Sequence, residues 1–73
     1  MTNFRIIRTV QELEALDRDA VTIDSAGAVE SVGMWLDDSG KAYPQDECFL
    51  PAVVLATGAQ VRAAREAMEQ NNE

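Results

Sequence analysis

The chain has no histidine and only one cysteine, Cys48. Without an imidazole, neither Cys48 nor any serine has the usual base that activates a nucleophile near neutral pH, so triad chemistry is excluded. Hydrolysis by carboxylates alone would require a pair such as Asp37 and Asp38, or Asp46 and Glu47, inside a water-excluding cleft. A chain of 73 residues has little room for one. We therefore expect a protein that is not an enzyme. A lone cysteine forms no intrachain disulfide, and its place beside Phe49 reads as a small buried hydrophobe rather than a reactive thiol. There is no leader-like start, and no apolar run approaches the ~20 residues of a membrane-spanning helix. These absences lead to the expectation of a protein of the reducing cytoplasm, with no membrane contact. Basic residues are also scarce, 6 against 13 acidic, and the net charge of -7 repels phosphate backbones and anionic lipids. Direct nucleic-acid binding is not expected.

What is present is an ordinary globular composition, 47% apolar and 26% charged. So short a chain supports one modest core, and with no disulfide to staple it, self-association becomes a natural source of further burial. Phe4-Arg5-Ile6-Ile7-Arg8 reads as a strand, and Thr9-Val10-Gln11-Glu12 as a capping box opening a short helix whose Val10, Leu13 and Leu16 form one stripe. Val21-Thr22-Ile23-Asp24 alternates like a half-buried strand. Asp24-Ser25-Ala26-Gly27 is turn chemistry before a second extended run, Ala28 to Leu36, in which Gly33 suggests a bulge. Asp37-Asp38-Ser39-Gly40 reads as another turn, Lys41-Ala42-Tyr43 as a brief return strand, and Gln45 to Glu47 as a polar loop. Residues 49–55 fit either strand or helix, with the β-branched pair Val53-Val54 favouring strand. Thr57-Gly58-Ala59-Gln60 is a second capping box, and the residues after it have strong helix propensity.

The expected fold class is α+β: a small antiparallel sheet or partial barrel of four to five short strands, one short helix after the first strand, and a C-terminal helix. Residues 1–57 would form the α+β body, and residues 58–73 a helix packing on that body or on a partner subunit.

Several of these segments resemble small proteins of actinobacteriophages, of the mycobacteriophage type. The likeness lies in Thr9 to Leu16, then Val21 to Val29, a tryptophan, and Leu50-Pro51-Ala52-Val53-Val54-Leu55, and covers roughly residues 6 to 55. Where that group usually has proline or glycine before the first hairpin strand, this chain has Asp17-Arg18-Asp19-Ala20. The resemblance implies an accessory protein in the cytoplasm of an infected host, touching a host or phage protein. It implies no catalytic residues.

The interface candidates are Met34 and Trp35, weighed against a core role for the single tryptophan, together with Val61, Ala64 and Met68 on the stripe of the last helix. The expected partners are a second copy of the chain and a host protein. Asp37, Asp38, Asp46 and Glu47 are candidates for an acidic face. They read first as solvated turns, and alternatively as a mimic of nucleic acid that inhibits a nucleic-acid-binding protein. As a calcium site they lack the glycine offset of an EF-hand loop, so no metal and no cofactor is expected. Arg62 and Arg65, one turn before Glu66 and Glu69, read as ion pairs along the helix.

Overall fold

The computed structural model describes residues 4–70. The fold is α+β, an open four-stranded antiparallel sheet with a short helix after the first strand and a longer helix at the end. The strands are β1 (Arg5–Ile7), β2 (Val21–Ile23), β3 (Val29–Ser31) and β4 (Ala52–Ala56), arranged β1-β4-β2-β3. The sheet is not closed into a barrel. The helices are α1 (Val10–Glu14) and α2 (Gly58–Gln70).

Local chemistry starts each helix. Thr9 Oγ1 accepts from the Glu12 amide at 3.2 Å, while Glu12 Oε1 accepts from the amides of Thr9 and Arg8 at 3.1 and 2.9 Å. Thr57 and Gln60 repeat the exchange at α2, at 3.1 and 2.9 Å. Each pair satisfies amides that a helix start leaves without partners. The β2–β3 hairpin turns on Asp24, whose Oδ1 accepts from the amides of Ala26 and Ala28, and on Gly27, whose φ of +89° is open to glycine at little cost.

The core lies on one face of the sheet. Ile7 and Ala52 from the strands meet Leu13 of α1, Ala20, and Val32, Trp35 and Leu36, with Leu16, Ala42, Leu50 and Val54 packed around them. Thr22 is fully buried on this face, where its hydroxyl donates to the Glu30 carbonyl at 3.1 Å and accepts from Trp35 Nε1 at 3.0 Å. A buried hydroxyl and a buried indole thus satisfy each other.

The extended run expected from Ala28 to Leu36 is shorter. After Ser31 the chain enters a 3-10 turn over Val32–Trp35, because the Val32 amide bonds to Ala20 and the Gly33 amide to Arg18, drawing the backbone away from the sheet. Gly33 therefore lies in a turn and makes no bulge. The sheet irregularity falls elsewhere, in the β2–β4 pairing, where Val21 faces Ala56 but Thr22 faces Val54 and Leu55 is the extra residue. Lys41 to Tyr43 contributes one bridge, Ala42 opposite Leu36, rather than a strand. The polar loop expected at Gln45 to Glu47 is part of a 3-10 turn over Pro44–Phe49. That turn leaves Cys48 exposed, against the expectation of burial. Residues 52–56 settle as strand, and no helix among the described residues is long and apolar enough to cross a membrane.

Candidate protein-binding surface

Register assigns every strand residue to a face. Arg5 pairs with Val54, Val54 with Thr22, and Thr22 with Glu30, so these side chains share the face that holds the core. On the opposite face Ile6 pairs with Val53, Val53 with Ile23, and Ile23 with Val29, a line of aliphatic side chains across all four strands. Phe4 and Leu55, two residues along from Ile6 and Val53, continue it and line one shallow depression together with Gln60. Val29 is 58% exposed, Phe4 53%, Leu55 41% and Ile6 40%, while Ile23 and Val53 are half-buried, so among the described residues this outer face is largely open. A molecule 19 Å across its thinnest axis has the depth of a sheet with one layer on it.

An antiparallel sheet with one wet face normally alternates apolar inside with polar outside. Here the outside is apolar as well. Singly exposed hydrophobic residues are commonplace, but here they adjoin one another across four strands and carry no charge, on a chain of net charge -7.

The second open surface is α2. Of its residues Gly58 is buried and Val61 half-buried, and the rest are exposed. At 3.6 residues per turn, Val61, Ala64, Ala67 and Met68 line one face, and Met68 is 67% exposed. The charged residues gather on the other side, and there the helix is fastened. Arg62 Nη1 meets Asp17 Oδ2 and Asp19 Oδ2, both at 2.9 Å. The lowering of the Asp17 pKa comes first from the Asp19 amide, which donates to its Oδ1 at 2.9 Å, and then from the hydrogen bond of Arg62. The two carboxylates in turn raise the Arg62 pKa. Arg62 is thus bound to the body and not to Glu66, the reverse of the ion pairing expected along the helix. Gly58 is packed so closely on the Asp17 carboxylate that a β-carbon there would have to displace it. Arg62 ties the start of α2 to the body, while Ala64, Ala67 and Met68 on its apolar side stay exposed.

The other candidates separate. Trp35, at 2% exposure, is a core residue and not an exposed anchor, because it packs in the cluster with Ile7, Leu13 and Val32 and its indole N–H is bonded to the buried Thr22. Met34, its neighbour in that turn, points outward at 68% exposure. The four acidic candidates do not form one open face. Asp37 Oδ1 accepts from the Ser39 hydroxyl and from the amides of Ser39 and Lys41, which fixes the Asp37–Gly40 turn, and its pKa is lowered chiefly by the Ser39 hydroxyl. Asp46 is buried, with Oδ2 accepting from the Tyr43 amide at 2.9 Å. Asp38 and Glu47 are exposed. Among the described residues no three acidic or cysteine side chains gather as a metal would require.

The sequence pointed to the stripe on the last helix as a candidate surface and not to the outer sheet face. Its signal lies in the doublets Ile6-Ile7 and Val53-Val54, since consecutive aliphatics in a strand must point to opposite faces. No protein-family model, curated protein or solved structure matches this chain.

Proposed function

We propose that the protein is a non-enzymatic protein-binding module, and that it binds through the outer face of its sheet and the open side of α2. The observation that carries this reading is the uncharged line Ile6, Val53, Ile23 and Val29 across the outer face of a strongly acidic chain, exposed at its two ends and half-buried at Val53 and Ile23. A sheet normally buries its apolar face against another layer, and this chain supplies no such layer among the described residues. The resemblance of residues 6 to 55 to small actinobacteriophage proteins supports a setting in the cytoplasm of an infected bacterium, as an accessory protein acting on a host or phage component. Self-association belongs to the same reading, because so small a core gains from further burial.

The test is site-specific photo-crosslinking in the producing cell, with a photoreactive residue at position 29 and, as a control, at exposed position 38. Protein adducts at 29 and none at 38 are the expected result. Equal labelling at both positions, or none at 29, would refute a binding surface on the sheet.

A further inference from the structure

We propose that the outer sheet face of each chain is covered by the α2 helix of a second copy, giving a two-fold dimer with two reciprocal helix-on-sheet contacts. The proposal rests on the reading of the outer face as a binding surface, and adds what binds there.

Both surfaces are incomplete in the same chain and have the same chemistry. The sheet offers Phe4, Ile6, Ile23, Val29, Val53 and Leu55, and the helix offers Val61, Ala64, Ala67 and Met68, all without charge. Depletion of charge at the centre of a patch is what distinguishes an interface from ordinary surface. The dimensions agree. Thirteen helical residues at ~1.5 Å each span about 20 Å, and four strands at ~4.8 Å spacing present a surface about 15–20 Å across. The small side chains at Ala64 and Ala67 allow the helix axis to approach the sheet closely.

The helix does not serve its own sheet. Its first turn is held at the Asp17–Asp19 loop by Arg62 and by the packing of Gly58 on Asp17. Gly58 lines a depression with Leu16, Ala20 and Val54, on the core side of the sheet. The start of α2 borders the outer face only through Gln60, beside Phe4 and Leu55, and beyond the anchor every residue from Ala63 to Gln70 is exposed, so the rest of α2 runs off the body.

Area favours a reciprocal pair over a single helix contact. A helix of this length covers a footprint of about 200 Å² (about 20 Å by 10 Å), so one helix lying along another falls well short of the ~800 Å² of accessible surface that a stable interface buries on each partner. When each copy gives its helix and receives the other's, the footprint per partner doubles to about 400 Å², half of that value rather than a quarter, and the accessible surface buried exceeds the footprint because side chains interdigitate. The contact is isologous, which closes the assembly at two copies.

The experiment is a complementation by mixing, read as solution mass by light scattering. One variant, Ile6→Lys/Val29→Lys, spoils the sheet face and keeps the helix. The other, Ala64→Glu/Met68→Glu, spoils the helix and keeps the sheet face. All four positions are exposed, and circular dichroism of each variant verifies that it folds. The wild-type chain is expected at twice its 8.0 kDa mass, and each variant alone at the monomer mass. Their mixture is expected to return to the dimer, since an intact helix then meets an intact sheet and the spoiled pair brings lysine to glutamate. Retention of the dimer by the sheet variant would mean helix-to-helix pairing, and retention by the helix variant would mean stacked sheets. Either result, or a mixture that stays monomeric, would overturn the proposal. A monomeric wild type would overturn it too, while crosslinks from position 29 to another protein would leave the binding reading standing.

Discussion

The pair Thr22 and Trp35 shows how one buried polar contact is made affordable in a small core. Trp35 Nε1 has Thr22 Oγ1 as its acceptor, and that hydroxyl passes its own proton to the Glu30 carbonyl. Thr22→Val keeps the shape but leaves the indole N–H buried without a partner, at a cost of about 1–3 kcal/mol. Trp35→Phe removes donor and ring volume together. The double variant should cost less than the sum of the two single ones, because it leaves no orphaned indole, and a urea-denaturation cycle measures the difference. The exposed carboxylates give a second expectation at this scale. Glu12, Asp17 and Asp37 have lowered pKa values, the largest causes being the Arg8 amide, the Asp19 amide and the Ser39 hydroxyl respectively. A depressed carboxylate pKa contributes stability that is fully present above about pH 5 and disappears as pH falls through the folded-state value. The urea midpoint should therefore drop between pH 6 and pH 3, and drop less in the Glu12→Gln/Asp17→Asn/Asp37→Asn variant.

Elements whose signals are local were legible in the sequence. The capping boxes at Thr9 and Thr57 and the turn at Asp24 hold in the structure because each is decided within four residues. The strand at Ala52–Ala56 was legible from its β-branched pair. The 3-10 turn at Val32–Trp35 was not, since it is set by amide bonds to Ala20 and Arg18, which are remote in sequence. The fastening of α2 was hidden for the same reason. Arg62 had a plausible partner four residues away, but Asp17 and Asp19 lie more than forty residues earlier and form a better-placed pair. Gly58→Ala tests that fastening. The new β-carbon would push the Asp17 carboxylate aside and loosen Arg62, while alanine favours the helix itself. Circular dichroism should show undiminished helix content, and amide relaxation by NMR should show α2 moving more independently of the body than in the wild type.

At the scale of the whole molecule, charge and apolar surface oppose each other. Each chain carries a net charge of -7, so bringing two together concentrates like charge, whereas the surfaces that would meet carry none. Screening lengths fall from about 30 Å at 0.01 M salt to about 3 Å at 1 M. Added salt weakens the repulsion and leaves the apolar contact intact. Association through the outer sheet face and α2 should therefore strengthen as salt rises, with the dimer persisting to lower protein concentration in a dilution series followed by light scattering. Capture of a basic partner by exposed acids such as Asp38 and Glu47 would respond in the opposite direction, because the attraction itself would be screened. The sign of the salt dependence thus separates the two kinds of binding without any knowledge of the partner. A dimer that dissociates on adding salt would place the contact on the charged surface and remove the apolar face from the account.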